Sequence, residues 1–326
     1  MENIKKVEIK NIHKNLSENY MKLMPSFYEM ESSFLSGVYK RYGDLEGGNI
    51  VIFFARDCHL KILRKRENDL NFDLSLDKFW KNHKDVEQSR KKIILVSKET
   101  GLPKETTRRK IFDLIKKKHI KKIEKNKLFW EPASELKETY IKIIEEEINS
   151  LSRFIHEQTK TLSLNLPLNK IEKEIKNNYS FYWYHFLNIQ LIYIKFWQEK
   201  LKDLEMLLIA LQTIIQTLSH SKRKKLAESA KGLQQIKTAK NISIEEKADI
   251  SAKSISDITG IPRATCIRKL DKFVKMKILE KDKKTRRYFL LNNEETLNPM
   301  LDTAWLKQKI ALLADFSSIV IRGLSN

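Results

Sequence analysis

The sequence predicts a mainly α-helical protein in which one unit of two helices and a small β-hairpin occurs twice. A stretch that begins at Thr100, TGLPKETTRRK, returns 159 positions later as TGIPRATCIRK, which begins at Thr259. A short basic stretch follows each copy, as expected of a hairpin. Apolar residues elsewhere recur mainly at three-to-four-residue intervals, which is the helical period.

The repeated stretch predicts a tight turn between two helices. In each copy a glycine, Gly101 or Gly260, stands where the first helix must end, and glycine adopts positive φ at little cost. Pro103 and Pro262 suit the first turn of the next helix, where a missing N–H costs nothing. Basic hairpins are predicted at His119–Trp130 and Ile278–Leu290. Helix, turn, helix and hairpin together make a winged helix-turn-helix, a module whose second helix enters the major groove of DNA.

The composition favours a nucleic-acid partner. Lys and Arg total 63 against 42 Asp and Glu among 326 residues, a formal charge of +21. With a pI near 9.7, the chain should attract a polyanion, nucleic acid before membrane. The sequence has no Gly-rich phosphate loop, no Ser-His-Asp candidate and no specially spaced carboxylate pair, so we expect neither enzymatic activity nor a cofactor. Cys58 and Cys266 stand alone, which predicts no disulfide and no metal site.

The first half of the chain is predicted at residues 27–158, after a weakly structured arm over 1–26 that contains Pro25. Its helices are expected at 27–44, 50–69, a shorter one that ends near 84, 91–100, 103–118 and 131–158. We expect Gly47 and Gly48 to separate the first two helices, because glycine weakens a helix interior.

The second half, residues 170–326, is expected to repeat this plan after a linker over 159–169, which contains Pro167. Asp203-Leu204-Glu205 stands 159 positions after Asp44-Leu45-Glu46. Because the Gly-Gly pair has no counterpart here, we expect one longer helix over 171–218. Its aromatic cluster at 179–186 predicts core packing, with an effector pocket as the alternative.

The second helix of each copy has an inner and an outer face when its residues are placed at 100° intervals. The inner faces are predicted to hold Thr107, Ile111, Leu114 and Ile115 in the first copy, and Cys266, Leu270, Phe273 and Val274 in the second. The outer faces are predicted to hold Glu105, Arg109, Phe112, Asp113 and Lys116, flanked by Thr106 and Arg108, and in the second copy Ala264, Arg268, Asp271, Lys272 and Lys275.

These outer faces supply the candidate DNA contacts. An Arg such as Arg109 or Arg268 can bond guanine through both O6 and N7 or hold a phosphate, and the sequence leaves both roles open. Near the helix starts, phosphate contacts are expected from Lys104, Thr106, Arg263 and Thr265. The further candidates lie on the helices and in the hairpins: Glu105, Arg108, Lys116, Lys272, Lys275, Lys125, Lys127, Lys283, Lys284, Arg286 and Arg287.

The two outer faces differ, which predicts an asymmetric DNA site. Arg108 in the first copy becomes Ile267 in the second, and Phe112 becomes Asp271. Glu105 likewise becomes Ala264. The two modules should therefore prefer different base triplets.

The pattern TG[LI]P[KR]xTxxRK resembles winged-helix transcription regulators of the MarR and IclR type. The resemblance covers about forty residues twice, 91–130 and 251–291. It implies packing helices that hold two modules against two half-sites, about one DNA turn or ~34 Å apart. Since this chain carries both modules, the resemblance implies an internal pseudo-dimer. The resemblance does not identify an effector, and it leaves open whether two chains associate as a homodimer.

The leading hypothesis is therefore a transcription regulator that binds double-stranded DNA. Residues 1–10 are charged and lack the apolar core of a signal peptide, and the apolar tracts 181–197 and 206–218 are interrupted or short, so we expect a cytoplasmic, nucleoid-associated protein that enters no membrane. Two alternatives stay open. One is a replication initiator of the plasmid or phage type with tandem winged helices, and the other is a winged-helix module that binds proteins.

Overall fold

The computed structural model describes residues 8–88, 91–123, 127–223, 249–291 and 303–324. Within them the protein is mainly α-helical with small antiparallel sheets, as predicted. The helices of the first half are α1 (Ile9–Glu18), α2 (Tyr20–Tyr42), α3 (Leu45–Asn68), α4 (Leu76–Asn82), α5 (Ile93–Thr100), α6 (Lys104–Lys116) and α7 (Lys137–Thr161). Those of the second are α8 (Leu168–Asn177), α9 (Tyr179–Leu201), α10 (Leu204–Arg223), α11 (Ala252–Thr259), α12 (Arg263–Lys275) and α13 (Thr303–Gly323).

Both predicted hairpins form antiparallel strand pairs. In the first half, β1 (Ile120–Ile123) pairs with β2 (Lys127–Trp130). In the second, β4 (Leu279–Lys281) pairs with β5 (Tyr288–Leu290). A strand that we did not predict, β3 (Asp249–Ile250), adds to the other edge of β5 and gives the order β3-β5-β4. Two residues are too few to show a strand period in the sequence.

The repeat extends far beyond the motif. Helices α1, α2, α5 and α6 have counterparts in α8, α9, α11 and α12, and each first and last residue lies 159 positions after its equivalent. Leu45 and Leu204, which begin α3 and α10, keep the same offset. The two halves therefore align without net insertion from α1 to the end of α6.

Helices of the two halves pack in reciprocal pairs. Helix α1 packs on α13 while its counterpart α8 packs on α7, and α3 packs on α9 while α10 packs on α2. The ring of Phe34 lies 5.1 Å from that of Phe186, and the equivalent pair, Tyr193 and Phe27, lies 6.2 Å apart between ring centroids. Two residues contact each other across the halves, and their two counterparts contact each other as well. This reciprocal pattern is that of a two-fold interface. The halves share one helical core.

The N-terminal segment is not the weak arm that we predicted. Residues 9–26 form α1 and the first part of α2, and Ile12 and Leu16 of α1 are buried. Their four-residue spacing continues to Tyr20, which is also buried, and this was the signal that we missed. Pro25 lies inside α2 without ending it. Burial of this apolar face outweighs the hydrogen bond that proline cannot donate.

Gly47 and Gly48 do not break a helix, contrary to prediction. Helix α3 begins at Leu45 and runs through both, whereas the break lies at Gly43, which has φ 80°. A Cβ atom at Gly48 would clash with Val38 Cγ1 on α2. Glycine here permits close packing of two helices, which outweighs its low helix propensity.

The prediction of a single long helix over 171–218 is also wrong. Helix α9 ends at Leu201, Lys202 takes the left-handed conformation with φ 56°, and α10 begins at Leu204. Lysine gives no sequence signal for such a turn.

The connection between the halves is shorter than predicted, because α7 continues to Thr161 and α8 begins at Leu168. No helix in the described part of the chain is long and apolar enough to cross a bilayer.

Candidate nucleic-acid interface

The predicted helix–turn–helix forms in both halves with the same geometry. Gly101 and Gly260 take left-handed conformations, with φ 73° and 78°, and end α5 and α11. Just before them, the hydroxyl groups of Thr100 and Thr259 donate hydrogen bonds of 2.7 Å to the carbonyl oxygens four residues earlier. The prolines stand one position before α6 and α12 rather than inside their first turns.

The chain leaves each second helix by the same left-handed turn. Lys118 and Lys277, which are equivalent, have φ 61° and 57°. The next backbone N–H reaches back five residues, from His119 to Leu114 O at 2.9 Å and from Ile278 to Phe273 O at 3.0 Å. This is the Schellman type of helix ending. Each hairpin therefore leaves its helix in the same way.

The inner faces of α6 and α12 are confirmed. The six residues at their centres are buried, namely Thr107, Ile111, Leu114, Cys266, Leu270 and Phe273, and Ile115 and Val274 are half-buried. Cys266 Sγ donates to Ile261 O at 3.5 Å, and burial raises the pKa of this thiol to about 11. Cys266 is therefore a protonated core residue, as its inward position predicted.

The outer faces present most of the predicted cations to solvent. The exposed residues among the candidates on these helices are Lys104, Glu105, Arg108, Arg109, Lys116, Arg263, Arg268, Lys272 and Lys275, whereas Thr106 and Thr265 are half-buried. Arg108 Nη1 pairs with Glu105 Oε2 at 3.2 Å, an exposed contact of little energetic weight. Neither Arg109 nor Arg268 forms an ion pair with another side chain in the described residues, so both guanidinium groups can meet a ligand.

Asp271 does not project from the outer face as predicted. It is half-buried, and its Oδ1 accepts hydrogen bonds from Lys281 Nζ at 2.8 Å and Tyr288 Oη at 2.9 Å. The bond from Lys281 is the main reason why the pKa of this carboxyl lies below its usual value. Because Lys281 and Tyr288 belong to β4 and β5, Asp271 fastens α12 to its hairpin. The ammonium group of Lys281 offsets the negative charge of this carboxylate.

Lys110, which the sequence analysis did not select, holds α6 against the core. Lys110 Nζ lies 2.8 Å from Asp44 Oδ1 and 3.3 Å from Glu46 Oε2, at the start of α3. Burial by itself would lower the pKa of Lys110, but its hydrogen bonds and the two carboxylate charges raise it overall. Asp44 also caps α3 by accepting from Gly47 N at 2.7 Å. One carboxylate therefore both starts a long helix and holds the motif helix.

The second half repeats this cluster at the same offset. Lys269 Nζ lies 2.6 Å from Asp203 Oδ2 and 2.9 Å from Glu205 Oε2. The signal for both clusters was in the sequence. The triplet Asp-Leu-Glu and the Lys that ends each motif copy recur at one common offset, which indicates that they act together.

The cations of the second hairpin divide into two kinds. Lys283, Lys284 and Arg286 are exposed at its tip, and Arg286 has a positive φ of 56°. Arg287 forms an ion pair with Asp249 on β3, so it joins the strands of the sheet. In the first hairpin Lys125 lies outside the described residues, and of Lys127 only the backbone, which lies in β2, is described.

The aromatic cluster of α9 packs in the core, which favours the first of our two interpretations. Tyr179, Tyr182, Trp183 and Phe186 are buried. A cavity of about 30 Å³ lies between Arg41, His59, Trp183 and their neighbours. It has room for about two water molecules.

In the described residues, no group of three or more His, Cys, Asp or Glu side chains is arranged to hold a metal ion.

Comparison of the chain with known protein families, with curated proteins and with solved structures found no match.

Proposed function

We propose that this chain is a DNA-binding transcription regulator that reads a duplex site with the outer faces of α6 and α12. One observation carries the proposal. Two equivalent helices each present an exposed Arg at the centre of the outer face, Arg109 and Arg268, which have no ion pair within the described part of the chain. An exposed Lys follows two turns on in each helix, Lys116 and Lys275. An Arg so placed can bond guanine in the major groove or hold a phosphate.

The surroundings of each helix support this proposal. In both halves a helix, a glycine turn, a second helix and an antiparallel hairpin follow one another, the order of a winged helix-turn-helix. The exposed Lys283, Lys284 and Arg286 place positive charge at one hairpin tip, where a wing contacts the DNA backbone. The reciprocal packing of the halves favours an internal pseudo-dimer with two reading helices, similar to the dimers of MarR-type regulators.

The proposed site is asymmetric because the two outer faces differ in the described structure. The first helix presents the Glu105–Arg108 pair and Phe112. The second presents Ala264 and Ile267 in place of that pair, and Asp271 is turned toward its hairpin. Two adjacent half-sites of unlike sequence should therefore be protected.

Selection of duplexes from a random pool, followed by footprinting, tests the proposal. Arg109→Ala and Arg268→Ala should each weaken binding to one half-site, by about 10- to 100-fold if the Arg bonds a guanine. Arg153→Ala, which removes an exposed Arg from α7, is the matched control and should change neither affinity nor footprint. If both motif variants kept wild-type affinity and protection, the proposal would be wrong.

The same experiment separates the two alternatives. If about six phosphates are contacted, log K should fall with log salt at a slope near −5. Duplex binding that is absent or insensitive to salt would favour a module that binds proteins. Protection of iterated direct repeats, rather than of one site with two unlike halves, would favour a replication initiator.

A further inference from the structure

Phe112 is the most exposed large apolar side chain of the two motif helices in the described structure, with 73% of its surface open to solvent. It lies one turn from Arg109 and one turn from Lys116 on the outer face of α6. Single exposed apolar residues are common on protein surfaces. This ring, however, lies between two exposed cations at the middle of the proposed reading face. It would therefore contact the DNA that this face binds.

Comparison of the halves shows that Phe112 lacks the bonds by which its equivalent in α12 holds the hairpin. Its equivalent, Asp271, is bonded to the hairpin through Lys281 and Tyr288. In the first hairpin Leu128 pairs with Lys122 as Tyr288 pairs with Lys281 in the second, and a leucine side chain has no hydroxyl group for such a bond. Position 112 is therefore free to project outward, whereas its equivalent in α12 is not. This is where the two reading faces differ most.

The edges of base pairs in the major groove offer mainly hydrogen-bonding groups, and the C5 methyl group of thymine is their apolar feature. A phenyl ring on a helix in that groove has this methyl group as its natural contact. The flanking Arg109 and Lys116 would hold phosphates or a neighbouring guanine. We propose that Phe112 reads thymine by its C5 methyl group, so that the half-site under α6 contains a thymine that the half-site under α12 does not require. This inference rests on the proposed function.

Replacement of thymine by uracil tests the proposal because it removes only the methyl group and keeps the base pair. Arg109→Ala first identifies the half-site that α6 occupies in a selected duplex. Uracil is then placed at each thymine of both half-sites in turn. Wild-type protein should lose affinity about fourfold at one position under α6, the factor expected for burial of one methyl group.

The Phe112→Ala variant should bind the thymine and uracil duplexes equally at that position, and Phe112→Leu should keep part of the difference. The ring is exposed and alanine favours helices more than phenylalanine does, so the variant should fold, which circular dichroism checks. Ile267→Ala removes an exposed apolar side chain from α12 and is the matched control. It should leave the ratio under α6 unchanged.

Three results would overturn the inference alone. The selected half-site under α6 could hold no thymine, uracil could bind as well as thymine, or Phe112→Ala could weaken both duplexes by the same factor. Each is distinct from failure of the proposed function, in which wild-type protein binds no duplex or Arg109→Ala and Arg268→Ala change nothing. In that case both proposals fall.

Discussion

Asp44 and Asp203 each perform two tasks at the start of a long helix. Asp44 accepts a hydrogen bond from Gly47 N, and Asp203 accepts one from Glu205 N at 3.2 Å, so both satisfy N–H groups in a first helical turn. Each also receives the ammonium group of a motif-helix lysine. A hydrogen bond between two charged groups is shorter and stronger than one between neutral groups. The orientation of α6 and α12 is thereby tied to the core.

We expect Lys269→Met to lower the free energy of unfolding by about 1–3 kcal/mol. The Lys269 side chain is only 9% exposed, and its loss leaves the carboxylates of Asp203 and Glu205 close together without a cation. The midpoint of urea unfolding measures the effect. Lys272→Met, which changes an exposed lysine of the same helix, should stay within about 0.5 kcal/mol of wild type. Equal midpoints for both variants would show that the cluster does not stabilise the fold.

At the scale of the element, the second hairpin is held at both of its strands. Asp271 of α12 bonds to Lys281 on β4 and Tyr288 on β5, and Arg287 pairs with Asp249 on β3. The two bonds of Asp271 hold the hairpin against α12, and the pair of Arg287 with Asp249 holds it to β3. The exposed cations at its tip therefore keep a set position relative to the outer face of the helix.

The double variant Lys283→Ala, Lys284→Ala should weaken duplex binding by a similar factor for all sequences. Phosphate contacts carry no sequence information, and each lost contact should reduce the slope of log K against log salt by about one, so about two in total. Titrations at four or more salt concentrations give that slope. The control double variant, Lys22→Ala with Lys173→Ala, removes exposed lysines from α2 and α8. A variant slope equal to that of wild type would exclude both lysines as phosphate ligands.

At the scale of the whole molecule, the halves meet at two equivalent positions. Gln190 Nε2 donates to Glu31 Oε1 at 2.7 Å, and the two residues are 159 positions apart, on α9 and α2. Glu31 is 1% exposed, and burial raises the pKa of its carboxyl to about 7, although Gln190 and the charge of Lys309 act in the opposite direction. A titratable group thus lies inside the interface between the halves.

Glu31 should make the stability of the protein depend on pH. Its pKa is raised in the folded state, so between about 4.5, the usual value, and about 7 the folded protein keeps a proton that the unfolded chain has released. The stability from this group is fully present below that window and is lost as pH rises through it, by up to about 3 kcal/mol.

Glu31→Gln should remove this dependence while it keeps a hydrogen-bonding group beside Gln190. Urea midpoints measured from pH 4.5 to 8 should converge for wild type and variant at the acidic end, and the variant should be the more stable at the basic end. Glu29→Gln, which changes an exposed carboxylate on the same helix, should follow wild type. A constant difference between Glu31→Gln and wild type at all pH values would contradict the prediction.

The sequence by itself determined the features that depend on near neighbours. The turns at Gly101 and Gly260, the buried and exposed faces of α6 and α12, and both hairpins follow from backbone freedom and from spacing within about twenty residues. The outward positions of Arg109 and Arg268 follow in the same way, because a helix fixes which side chains share a face.

Tertiary structure alone decided the features that depend on distant parts of the chain. Gly48 lies inside α3 because α2 passes close to it, and the partner on which α1 packs is α13. Asp271 turns to its hairpin. The common offset marked Lys110 and Lys269 in the sequence, but only the fold brings them to carboxylates 66 positions away. Local propensities are worth about 1 kcal/mol or less per residue, so a buried contact can override them, and only the folded chain reveals which contacts form.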